Sequence, residues 1–96
     1  MNKQEAMEIL NSEIMRFRSM EYEELTGLIN SSMNYEREAP SGAAYQIEIQ
    51  AFWDNHRESN GNIRVIALID DGRFPYCFSP LSSDFIKSPE GNFVGE

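Results

Sequence analysis

The sequence predicts an α+β domain: two N-terminal helices packed on an antiparallel meander of about four strands, closed by a short C-terminal helical turn and tail. Three observations carry this reading. Apolar residues recur at helical spacing in the N-terminal third. The stretches 44–54 and 62–71 carry strand patterns. Turn-forming segments, Ala39-Pro40-Ser41-Gly42, Asn60-Gly61 and Asp71-Gly72, join successive strands by connections suited to antiparallel neighbours. A chain of 96 residues forms one domain, 1–96, with a single modest core.

Asn2 followed by Glu5 has capping-box spacing and predicts a helix start. Met7, Leu10, Ile14 and Phe17 then recur on one side with Ala6, while Lys3, Glu8, Asn11, Ser12 and Arg18 occupy the other. Arg16 and Arg18 near the end complement the helix dipole. Burying these apolar side chains is worth roughly 1.5–3 kcal/mol each before entropy is subtracted. The helix is the natural lid of the core. Ser19 is expected to cap a second, weaker helix carrying Tyr22, Leu25, Leu28 and Ile29, with Glu21, Glu23 and Glu24 in its first turn and Gly27 inside it.

Met33, Tyr35 and Arg37 alternate with Asn34, Glu36 and Glu38, a short edge strand whose charges discourage pairing with another chain. The next strand alternates strictly: Tyr45, Ile47, Ile49, Ala51 and Trp53 face one way, and Gln46, Glu48, Gln50 and Asp54 the other, with Phe52 out of pattern. In the following strand Ile63, Val65, Ala67 and Ile69 share a face, but Ile66 and Leu68 make the opposite face apolar too. Such a strand is expected inside a sheet with cover on both sides. Placing Trp53, Ala51 and Ile49 beside Val65, Ala67 and Ile69 gives one continuous core surface and leaves Phe52, Ile66 and Leu68 as an apolar patch behind it. Phe74, Tyr76 and Phe78 alternate with Pro75, Cys77 and Ser79 as a further strand, stopped by Pro80. Ser82-Ser83-Asp84 is expected to cap a helical turn with Phe85 and Ile86. Ser88-Pro89-Glu90-Gly91 makes a turn that returns Phe93 and Val94 to the body.

The net charge of −8 is divided evenly between 1–40 and 41–96. No basic stripe is present for a phosphate backbone, which disfavours nucleic acid as a partner. No apolar run is long enough to span a bilayer, so no membrane association is expected. The single cysteine, Cys77, suits a reducing compartment, and a cytoplasmic protein is expected. Asp54, His56 and Glu58 have the ligand types of a divalent metal or a general base, with Asp70 or Asp71 expected nearby if the hairpin closes over them. That spacing matches no established metal pattern, and solvated loop chemistry explains it as well. Cys77 lacks the neighbouring base and electropositive setting of a nucleophile, and no phosphate-cradling glycine loop exists. The reading therefore assigns no catalytic residue, no metal and no cofactor.

The patch of Phe52, Ile66 and Leu68 is the remaining signal. It is expected to be covered either by the tail, through Phe85, Phe93 and Val94, or by a second subunit. A ligand groove is a third reading. The chain also resembles a group of small uncharacterised bacterial proteins, at Tyr45-x-x-Glu48-x-Gln50-x-Phe52-Trp53-Asp54 and at the ending from Asp84-Phe85-Ile86 to Ser88-Pro89-Glu90-Gly91-x-Phe93-Val94-Gly95-Glu96. The resemblance implies a free-standing bacterial domain and carries no activity or functional residue. The expected function is a non-enzymatic binding module, a homodimer associating through its sheet. The alternative is an acidic inhibitor or immunity-type protein that neutralises a basic partner. A metal-dependent enzyme using Asp54 and His56 ranks behind both.

Overall fold

The computed structural model describes residues 1–73 and 80–96. Its elements are α1 (Lys3–Arg18), α2 (Tyr22–Thr26), β1 (Ser32–Glu38), β2 (Ala44–Trp53), β3 (Ile63–Asp70) and β4 (Leu81–Lys87). The strands form one antiparallel sheet in the order β1-β2-β3-β4. This is the α+β class, with one long helix and one short one.

Asn2 caps α1, its Oδ1 accepting the Glu5 N–H at 3.1 Å. The buried residues of α1 are Ala6, Ile9, Leu10, Glu13, Ile14 and Phe17, a three-and-four spacing that makes a single stripe. Ile9 and Glu13 belong to that stripe, and Met7 lies at its margin, only partly buried. Ser19 is not the cap of the second helix. It ends α1, with Oγ donating to the Met15 carbonyl at 2.8 Å, and Glu21 with Glu24 forms the capping box of α2. The second helix is five residues long because the chain leaves it at Gly27. Ile29, expected on its stripe, instead bridges to Ala51 of β2.

The faces of β2 and β3 fall as alternation demands. Tyr45, Ile47, Ile49 and Ala51 are buried with Ile63, Val65, Ala67 and Ile69. The pairing sets Trp53 opposite Ile63, Ala51 opposite Val65 and Ile49 opposite Ala67. The expected face is kept, with the partners of Trp53, Ala51 and Ile49 two residues earlier in β3, a shift that preserves side. The helical turn expected at Ser82–Ile86 is a strand. Leu81, Ser83, Phe85 and Lys87 pair with β3 facing the core, so ladder bonds outweigh the local capping signal. The strand expected through Phe74 and Phe78, and Cys77 with it, lies outside the described residues.

Two hairpin-like turns share one design. Ala39 N–H donates to Ala43 O and Gly42 N–H to Ala39 O, both at 2.8 Å. Ser88 N–H likewise donates to Asn92 O at 2.8 Å and Gly91 N–H to Ser88 O at 2.9 Å. Pro40 and Pro89 supply the fixed φ of the second turn position, while Gly42 and Gly91 adopt φ of +90° and +88°. The second turn brings Phe93 to a bridge with Lys87 and sets its ring edge-on to Phe85, 5.9 Å between centroids. Phe85 and Phe93 thus join the core side of the sheet and do not cover the back.

Polar anchors fix α1 over the core. Lys87, 8% exposed, donates to the carbonyls of Arg18 and Met20 at 3.0 and 2.6 Å, satisfying groups at the end of α1. Glu13, wholly buried, accepts from Arg16 at 2.8 Å and from Arg37 of β1. Arg18 stacks 3.9 Å from the Phe93 ring centroid and forms a two-pronged bond to Glu96, with both contacts at 2.7 Å.

Phe17→Ala is expected to lower unfolding free energy by roughly 3–5 kcal/mol. Met15→Ala, at a residue 58% exposed on the same helix, should change it by less than about 0.5 kcal/mol. Urea titrations of both variants check the pair.

Candidate interaction surface

Both helices and Phe93 pack on the core side, and among the described residues the opposite side of the sheet presents the alternate residues of the four strands. Its rows follow from register. Phe52 stands opposite Arg64, which stands opposite Ile86. Gln50, Ile66 and Asp84 form the next row, then Glu48, Leu68 and Ser82, then Gln46 with Asp70. Phe52, Ile66 and Leu68 are thus brought onto one face as expected, and Ile86 joins them. All four are half-buried. The sequence reading missed Ile86 because it placed that residue on a helical turn; the alternation Ser82, Asp84, Ile86 was the available signal.

The patch is set in carboxylates. Glu36 and Glu38 of β1, Glu48 of β2, Asp70 of β3 and Asp84 of β4 share this face, and Arg64 is the strand cation among them. Arg64 is already engaged. Its Nε donates to Asp54, just past the end of β2, at 3.1 Å and its NH1 to Asp84 of β4 at 2.6 Å, beside Phe52 and Ile86. Glu48 accepts from Ser32 Oγ at 3.1 Å and Glu36 from Gln46 Nε2 at 3.0 Å. The face therefore offers an apolar centre within a negative field.

The other proposed site residues do not converge. Asp54 is held by Arg64, and His56 is exposed in the loop that follows β2. Asp70 lies at the far end of β3, roughly 23 Å along the strand from Ile63. Its Oδ1 accepts the Gly72 N–H at 2.6 Å and shapes the turn there. The proximity expected of His56 and Asp70 is thus absent, because Trp53 pairs with Ile63 and Gln46 with Asp70. Among the described residues no group of three His, Cys, Asp or Glu side chains is placed to hold a metal. No helix among the described residues is long and apolar enough to cross a membrane.

A cavity of about 470 Å³ opens at the other end of the sheet, lined by Met1, Asn2, Glu5, Ala44, Tyr45 and Asp71 among others. Its polar atoms largely satisfy one another. Glu5 Oε1 accepts from Ser41 Oγ at 2.9 Å and from the Tyr45 hydroxyl at 2.8 Å. Asp71 takes the N-terminal ammonium at 3.5 Å and the Arg73 N–H at 3.0 Å, and the carboxyl lies below its ordinary range, these contacts outweighing desolvation. Burial, then the bond to Glu5, pushes the Tyr45 phenol up to about 12. No family model matches the chain, and no curated protein or solved structure matches it either.

The fold favours the neutral Tyr45 phenol, whose unfolded value is about 10. Its contribution to stability is complete below about pH 10 and is lost as pH rises through about 12. Urea unfolding at successive pH values should show a shallower alkaline decline in Tyr45→Phe than in the parent; an equal slope would assign the decline to other groups.

Proposed function

We propose that the chain is a small non-enzymatic interaction module that self-associates through its sheet, with Phe52, Ile66 and Leu68 part of the surface its partners contact. The observation that carries this reading is the one-sided cover of the sheet. The described helices pack on one face, and the other holds an apolar centre of half-buried strand residues. An apolar centre of this kind marks a contact surface, and a small domain gains stability by associating with a second chain.

The charge pattern of the same face supports a second reading, an acidic inhibitor or immunity-type protein directed at a basic partner. Glu36, Glu38, Glu48, Asp70 and Asp84 surround the patch, and Arg64 is neutralised by Asp54 and Asp84. Such a field speeds encounter with a cationic surface and rejects acidic ones.

Sedimentation equilibrium over a wide concentration range is expected to give a mass rising from monomer to dimer; a monomeric mass throughout would remove self-association. For the second reading, a complex with a basic protein should weaken steeply with salt, and Leu68→Lys should weaken it further by placing a cation in the contact. Binding indifferent to both changes would rule that reading out.

A further inference from the structure

We propose, resting on the self-association above, that two copies pair edge to edge along β1, antiparallel, with Tyr35 of each copy at the twofold axis. β1 is the terminal strand of the sheet. The opposite edge is partly occupied: Phe93 bridges Lys87, and Val94 N–H donates to Ile86 O at 2.9 Å.

The backbone parity of β1 decides which residues can pair outward. Ala39 N–H donates to Ala43 O, and the ladder continues from there through Glu38 opposite Ala44 and Arg37 opposite Tyr45. Hydrogen-bonded and non-hydrogen-bonded pairs alternate along an antiparallel ladder. Met33, Tyr35 and Arg37 therefore direct their N–H and C=O groups to β2, while Ser32, Asn34, Glu36 and Glu38 direct theirs to the edge, which no other described strand pairs with. A second β1 can bond only in a register that sets these four against one another.

With Tyr35 on the axis, Ser32 meets Glu38 of the other copy and Asn34 meets Glu36, in hydrogen-bonded pairs. Met33 meets Arg37 between them. No carboxylate stands directly opposite a carboxylate, and the full strand is used. Moving the axis to Glu36 sets that residue against its own copy, and moving it to Asn34 leaves Arg37 and Glu38 unpaired. Asn34 Nδ2 donates to Ser32 Oγ at 3.3 Å and retains a second N–H for the facing Glu36. Met33, 39% exposed, gains the stem of the facing Arg37, whose head is held by Glu13. The edge charges exclude strands of other sequence but admit this one.

Sedimentation equilibrium of the full chain and four variants tests the register. Asn34→Pro deletes an outward N–H while leaving the bonds to β2, so the dimer should be lost with the fold intact by circular dichroism. Asn34→Asp sets two like-charge pairs across the axis and should weaken association roughly tenfold, whereas Asn34→Lys should strengthen it by a similar factor. Asn11→Lys, at an exposed position of α1 away from both the edge and the patch, should leave the dimer within about twofold of the parent. A dimer that survives Asn34→Pro, or that fails to respond in opposite directions to Asp and Lys at position 34, overturns edge pairing while self-association stands. If Asn34→Pro does not fold, the opposed charge responses decide alone. A parent chain that stays monomeric overturns both.

Discussion

One long helix has to cover a four-stranded sheet, and that mismatch governs the molecule. The stripe of Ala6, Ile9, Leu10, Ile14 and Phe17 buries the centre of one face, and α2 with Leu25 and the Ile29 bridge extends the cover along β2. Nothing remains of the described chain to cover the other face. β3 is an inner strand between β2 and β4, and its half-buried back residues Ile66 and Leu68 have neighbours on adjacent strands, with no second layer among the described residues.

A single helix on a sheet can slide or rotate unless something other than apolar contact fixes it. Three polar devices do so, at its start, middle and end. Glu5 gathers the hydroxyls of Ser41 and Tyr45, Glu13 reaches Arg37 on the edge strand, and Lys87 holds the carbonyls of Arg18 and Met20. The middle device has the largest penalty for error, because its carboxylate is wholly buried and removing a cation partner leaves it exposed to desolvation cost. Tyr35 lies against the same cluster, its hydroxyl enclosed without a hydrogen-bond partner, and burial, then the Glu13 charge, raises its phenol. Edge strand and helix are consequently coupled through one carboxylate.

The elements legible in the sequence were those whose signal is periodic. The strand alternation from Tyr45 to Trp53 and the Asn2 cap needed no tertiary information. The failures share a cause: a local signal was overruled by a long-range one. Ser82-Ser83-Asp84 has the composition of a helix cap, but β3 offered a full ladder to whatever chain could reach it, and that chain was Leu81–Lys87. Ser19 looked like a start and serves as an end, since Lys87, far along the sequence, fixes where α1 stops. Glu13 was readable in principle, being a charge at a stripe position, yet its cations come from the next turn and from a strand. The apolar patch was legible because Phe52 breaks its own strand's period; the carboxylate surround was not, because its members come from four strands whose order the sequence does not state.

On the proposal above, charge separates the roles of face and edge. Stacking two such faces back to back would bring carboxylates from both copies into a dry space with Arg64 already neutralised, and like charges in that setting repel more strongly than at an open edge. In the proposed pairing along β1, Glu38 and Glu36 would fall opposite Ser32 and Asn34, so the net charge would not oppose pairing rung by rung. Edge pairing also leaves both patches on one side of a continuous sheet, where they add rather than occlude one another. On that arrangement self-association does not compete with the binding of a basic partner: it doubles the surface presented to it, and an interaction that is weak for one patch gains from two held at fixed separation.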